Sequence, residues 1–227
     1  MENEWFMNTL TKKQYLENPC STSSIPYWKA VCISIPDNMK ILHDREFNPE
    51  LLKQYVAEPY FRLLHSMREV KPVSLPEGYS LYKASLPEFV EHMNGCYEDI
   101  GITVSELQSY LTREQYSSEL WLAVRDNHNG KIAATGIAEL DREIGEGVLE
   151  WIQVSKAYRR RGLGSYLVLE LLWRMRKAAR FVTVSGKCKN PDDPEGLYRK
   201  CGFCGDDVWH VLREREPDVF SGERDFQ

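Results

Sequence analysis

The sequence predicts an α+β fold, on three observations. Past residue 78 the patterning runs strand, helix, helix, then three short strands joined by tight turns, which reads as an antiparallel meander. A long amphipathic helix follows the last of those strands. Before residue 76, short helical and strand signals alternate, an extra N-terminal α/β segment ahead of the main pattern.

Residues 11–17 predict a short helix, with Thr9 or Thr11 as its cap. Residues 27–35 are aromatic and β-branched and run up to Pro36, which predicts a strand. A second strand is expected over 39–43. Residues 49–55 predict a helix, with Asn48 as cap and Pro49 in the first position. Residues 60–67 fit either class. Pro72, Pro76 and Gly78 mark a boundary that neither a helix nor a central strand should cross. The division expected is 1–75 as an N-terminal extension or small subdomain, 76–213 as the main domain, and 214–227 as a charged tail.

Residues 78–84 predict a strand. A helix over 86–97 opens on Ser85, with Pro87 and Glu88 in its first turn. A second helix is expected over 105–116. Strands follow at 120–125, 131–140 and 148–154, separated by an Asn129-Gly130 turn and a Gly145-Glu146-Gly147 turn. The clearest helix is 162–179, where Leu163, Leu167, Val168, Leu171, Leu172 and Met175 recur at three- and four-residue spacing. Arg174, Arg176, Lys177 and Arg180 crowd its C-terminal end, where the dipole favours cations. A strand over 181–185, a helix over 194–200 stopped by Gly202, and a strand or hairpin over 203–213 complete the pattern.

Composition restricts the function classes. Apolar residues are 42% of the 227 and charged residues 28%, as in globular proteins in water. The net charge of −5 and the want of a basic stripe argue against a nucleic-acid partner. No apolar run reaches the ~18 residues of a membrane span. The acidic start, Glu2 and Glu4, precedes no signal-like apolar region, and the six cysteines are dispersed. The expected setting is reducing and cytoplasmic.

One segment carries chemistry. An apolar strand ends at Val154, a short loop brings Arg159, Arg160 and Arg161, and Gly162 and Gly164 open the long helix. Free amides and the dipole make a helix start an anion site, glycine lets a phosphate approach the backbone, and guanidiniums add fork-shaped donors. Three other readings compete. The arginines could belong to a solvated loop with the glycines easing chain entry. A Rossmann dinucleotide site lacks its third glycine, since Leu167 stands there. A Walker loop lacks its Gly-Lys-Ser/Thr.

The segment resembles the acyl-CoA signature of the GNAT acetyltransferase superfamily, Arg/Gln-x-x-Gly-x-Gly/Ala, filled by Arg159, Gly162 and Gly164. Farther on, Leu197-Tyr198-Arg199-Lys200-Cys201-Gly202-Phe203 resembles that family's Leu-Tyr-x-x-x-Gly-Phe string, and Asn190 the asparagine before it, with about one residue more between them than usual. The resemblance covers roughly 76–213 and leaves out the first 75 residues. It implies a mixed, mostly antiparallel sheet with helices on both faces. It also implies acetyl-CoA as co-substrate, no metal, and an amine acceptor, either a small molecule or a protein amine. A homodimer is compatible with it.

The family's site residues carry over as follows. Ile152 and Val154 would hold the pantetheine arm. The amides of Arg160, Gly162, Leu163, Gly164 and Ser165 would hold the pyrophosphate, supported by Arg159 and Arg161. Asn190 would touch the CoA arm, and Tyr198 would protonate the departing thiolate. The expected reaction is direct attack of a neutral amine on the thioester, which calls for a base. Glu150 is the first candidate, on a strand face expected to include Val148, Ile152 and Val154; Glu139 is the second. From another class, a non-catalytic acyl-CoA sensor would share the binding residues. Tyr97, Glu98 and Asp99, or Tyr27 and Trp28, are candidates for the acceptor side. Cys201 and Cys204 have redox spacing but follow a helix, so buried thiols are expected.

Overall fold

The computed structural model describes residues 10–97 and 101–215. Eight strands form one sheet: β1 (Met39–His43), β2 (Tyr55–His65), β3 (Tyr79–Tyr82), β4 (Trp121–Asp126), β5 (Ile132–Asp141), β6 (Glu146–Val154), β7 (Phe181–Lys187) and β8 (Cys204–Glu214). Their order is β1-β8-β2-β7-β6-β5-β4-β3, and only the β6–β7 pair is parallel. The expected meander is β4-β5-β6. The N-terminal segment enters the same sheet, since β2 lies between β7 and β8 and pairs with both. The proline-bearing stretch at 70–78 connects β2 to β3.

Among the described residues, seven α-helices flank the sheet: α1 (Lys12–Glu17), α2 (Pro19–Thr22), α3 (Tyr27–Ala30), α4 (Leu86–Asn94), α5 (Val104–Tyr110), α6 (Leu163–Met175) and α7 (Pro194–Lys200). On one face α6 buries Leu163, Leu167, Val168, Leu171, Leu172 and Met175 against Ala134, Ala138, Leu149 and Val182. Each such aliphatic side chain contributes about 1.5–3 kcal/mol relative to exposure. Gly147 admits this helix, because a Cβ there would stand 2.7 Å from Met175 Sδ. On the other face, Phe89 and Met93 of α4 and Leu107 of α5 pack on Ala123 and Ile137.

The helix starts follow local rules. Thr11 caps α1 in a capping box with Gln14, and Ser85 does so for α4 with Glu88. Thr103 and Glu106 form a third box, so α5 starts one residue earlier than expected and stops at Tyr110, short of the expected 116. Asn48 caps a 3-10 turn, Pro49–Lys53.

Two expectations are corrected. Residues 27–35 are not a strand: Tyr27–Ala30 wind into one helical turn and Val31, Ile33 and Ile35 are exposed. Their β-branched side chains favour a strand only if a partner strand is beside them. Here the Tyr27 amide is instead bonded to Glu146 Oε2 at 3.2 Å. Glu146 is likewise not in a turn; it begins β6 and is fully buried. Only Gly145, with φ +71, keeps a turn conformation.

Glu146 anchors the N-terminal segment. Its Oε1 accepts from Tyr15 Oη at 2.5 Å and Thr183 Oγ1 at 2.7 Å, and lies 3.5 Å from Arg62 Nη2. Arg62, 1% exposed, also donates to Tyr15 Oη and to the Ser24 carbonyl. Burial raises the Glu146 carboxyl and the Tyr15 phenol alike, so the surrounding hydrogen bonds must hold the charge. Glu146→Ala would strand a buried guanidinium, at a cost of about 3–5 kcal/mol. Urea unfolding should show that drop, and Arg62→Met on top of it should recover part. Unchanged stability in Glu146→Ala would refute the anchor.

Candidate functional site

The parallel β6–β7 pairing runs only from Glu146↔Phe181 to Leu149↔Val184. Beyond it β7 stays with β2 as far as Lys187, whereas β6 stays with β5 as far as Val154. The two strands diverge, and alternate backbone groups of the Glu150–Val154 stretch face the gap without a strand partner.

A cleft of about 480 Å³ opens along this gap. Ile152 and Val154 form one wall, the α6 start its floor, and Asn190 and Leu197 the opposite side. Gly164 lines the cleft between Val154 and Leu197. A Cβ there would stand 3.2 Å from Leu197 Cδ2 and 3.7 Å from Val154 Cγ2. Cys96 and Tyr97, from the end of α4, complete the wall. His92 braces that end through Thr135 Oγ1 at 2.9 Å and Ser155 Oγ at 2.8 Å, and burial lowers its pKa to about 4.

At the floor, Arg160 has φ +65 and Gly162 φ +83. Left-handed residues alternating with right-handed or extended ones turn successive amides to one side, making an anion nest, and the first amides of α6 add to it. A non-glycine residue at positive φ costs free energy and is kept where the surroundings require it. The floor thus suits a phosphate.

The three arginines part ways. Arg159 lines the cleft and pairs with Asp192 at 2.5 Å, tying the nest loop to the 190–193 loop. Arg160 lines the cleft with its side chain exposed, and no carboxylate among the described residues pairs with it. Arg161 lies outside the cleft lining, donating to Tyr79 Oη and the Ala157 carbonyl, each at 3.1 Å. Leu163 and Ser165 line the floor. Asn190 lines the cleft too, but its Oδ1 accepts from the Asp192 amide at 3.0 Å.

The carboxylates lie differently from the sequence expectation. A β-bulge, two residues facing one, places Glu150 between the Ile137↔Trp151 and Ala138↔Leu149 pairs. Leu149, Ile152 and Val154 pack on the α6 face. Glu150 instead bonds Lys29 of α3, so it does not share a face with Ile152 and Val154. Glu139, on β5, is 1% exposed and accepts from Arg113 Nη1 at 2.7 Å. Burial, with the Glu150 charge next, raises its pKa to about 7.

Tyr198 is buried beside Phe61 and Phe203 and does not line the cleft; its neighbour Leu197 does. Burial holds its phenol well above the usual range, hence protonated. Glu98 and Asp99 lie outside the described residues. Cys201 is buried but Cys204 is exposed, a correction to the expectation of two buried thiols. Lys29, Arg113, Asp192 and Cys96 escaped sequence reasoning, because no local pattern sets them apart from ordinary surface or core residues.

The splayed strands and the nest lie side by side in an α+β domain. Residues 116–204 match the family model for the acetyltransferase (GNAT) domain. The fold is similar to that of the GCN5-related N-acetyltransferase from Sphaerobacter thermophilus, with TM-score 0.65 and 19% identity over 80% of this chain and 62% of that one. A GNAT-family acetyltransferase from Colwellia psychrerythraea is similar at TM-score 0.53 and 16% identity, over 78% and 64% of the two chains. The chain therefore spans less than two thirds of either protein's length. No curated protein matches it in sequence. Among the described residues no helix is long and apolar enough to cross a membrane.

Proposed function

We propose that the chain transfers an acetyl group from acetyl-CoA to a primary amine by direct attack on the thioester. The observation that carries this reading is the β6–β7 splay beside the amide nest: a gap for the pantetheine arm that leads to a site for the pyrophosphate. The nest amides from Arg160 to Ser165 would hold the phosphates, with Arg159 and Arg160 as cations. Arg161 would act at one remove, by holding the Ala157 carbonyl. Ile152 and Val154 would hold the arm, and Asn190 would shape the loop beside it.

The base is the Glu139–Glu150 pair. Burial, with the Glu150 charge next, keeps Glu139 protonated up to about pH 7, and above that its carboxylate can accept a proton. The amine gives up a proton to the pair, its nitrogen bonds to the acyl carbon, and the carbon–sulfur bond breaks. The departing thiolate takes up a proton; Tyr198 is the candidate to supply it, and to reach the sulfur its phenol has to leave the packing against Phe61 and Phe203.

Thiol release from acetyl-CoA in the presence of a panel of primary amines tests the reaction. Tyr198→Phe is expected to lower kcat by about tenfold or more, toward the 10²–10⁴ of general acid catalysis, and to leave the acetyl-CoA Kd unchanged. Saturable acetyl-CoA binding with no thiol release for any amine would replace the enzyme with a sensor.

A further inference from the structure

Glu139 Oε2 is a buried carboxylate oxygen with no hydrogen-bond partner among the described residues. Lys29 Nζ lies 3.7 Å from it and is bonded to Glu150 Oε1. One ammonium on an aliphatic stem is therefore shared by two carboxylates. The surroundings suit such a group: Lys29 Nζ lies 4.9 Å from the centre of the Trp28 ring, and the Arg113 guanidinium is stacked 3.4 Å from that of Tyr110.

The charges balance only with this lysine. Glu139 and Glu150 carry two negative charges when ionised and Arg113 returns one, so a single further cation is required. Lys29 comes from a one-turn helix in the N-terminal segment, while both carboxylates belong to the domain that carries the cleft. A primary alkylammonium from outside could take its place without changing the local charge.

We propose that Lys29 is an internal occupant of the acceptor's ammonium site, and that the acceptor is a primary alkylammonium which must displace it. This rests on the acetyl-transfer reading above. The acceptor's charge would be drawn to the carboxylate pair before one carboxylate takes its proton, and the N-terminal segment would compete for the same pair.

Two probes distinguish a free diamine from a lysine side chain: cadaverine, and lysine capped at both ends as the N-acetyl methylamide. Their binding is measured by calorimetry on the full chain saturated with CoA, at about pH 8, where alkylamines remain ammonium ions. If Lys29 is seated some nine-tenths of the time, its removal should tighten binding about tenfold. The expected result is that tightening for at least one probe in both Lys29→Ala and Lys29→Met, and its loss when Glu139→Gln is added. Met keeps the aliphatic stem in case Ala loosens the segment. Equal affinities in wild type and both variants, or a gain that survives Glu139→Gln, would overturn the proposal. Failure of CoA itself to bind would instead defeat the underlying reading.

Discussion

Gly164→Val is expected to weaken acetyl-CoA binding about a hundredfold, near 2.8 kcal/mol. Its position in the cleft lining between Val154 and Leu197 is the reason. The Cβ alone would press on Leu197 Cδ2 at 3.2 Å, and the two methyls beyond it would fill the space between Val154 and Leu197. The helix itself should tolerate the change. Gly164 lies in the first turn of α6 with an ordinary φ, and valine costs a helix less than about 0.7 kcal/mol relative to the best residues. Gly162 supplies the contrast. A Cβ there meets only Pro76 Cγ at 3.7 Å, but φ +83 strains any L-residue by about 1–2 kcal/mol. Gly162→Ala should therefore lower stability and distort the nest, while Gly164→Val should spare stability and lose affinity. Calorimetry with acetyl-CoA and thermal melts separate the two, and an unchanged Kd in Gly164→Val would place the cofactor elsewhere.

The pH dependence of acetyl transfer is the second large effect. Only the ionised carboxylate can accept a proton, and Glu139 is protonated below about pH 7 because burial and then the Glu150 charge raise it. The rate should rise as pH passes about 7 and level off above it. Glu150→Gln removes a like charge, so Glu139 should ionise more readily and the rising limb should move to lower pH. Glu139→Gln should abolish the limb and reduce kcat by about 10²–10⁴. If Glu150→Gln abolishes the limb and Glu139→Gln leaves it in place, Glu150 alone is the base.

The helices were legible where their causes are local. Apolar residues three and four apart marked α6, and Ser85 with Glu88 marked the start of α4. The loop that opens α6 was legible as a candidate anion site because glycines and arginines meet there at a strand-to-helix turn. Residues 27–35 misled because β-propensity describes the packing a strand would receive, and no strand lies beside them. The bulge at Glu150 was illegible in principle. One extra residue changes every facing after it, and the extra residue is defined only by pairing with β5.

By itself, then, the sequence determined the α+β class, the order of elements from β3 to β8, and the glycine-bearing start of α6. These rest on period, caps and turns, which act over a few residues. The tertiary structure alone decided that β2 pairs between β7 and β8, that Arg161 turns away from the cleft while Arg160 stays, and that Glu139, Glu150 and Lys29 meet. Lys29 and Glu150 are 121 residues apart in sequence. Burial of Glu146 against Arg62 holds the first segment on the sheet, and no short-range pattern encodes a contact across that distance.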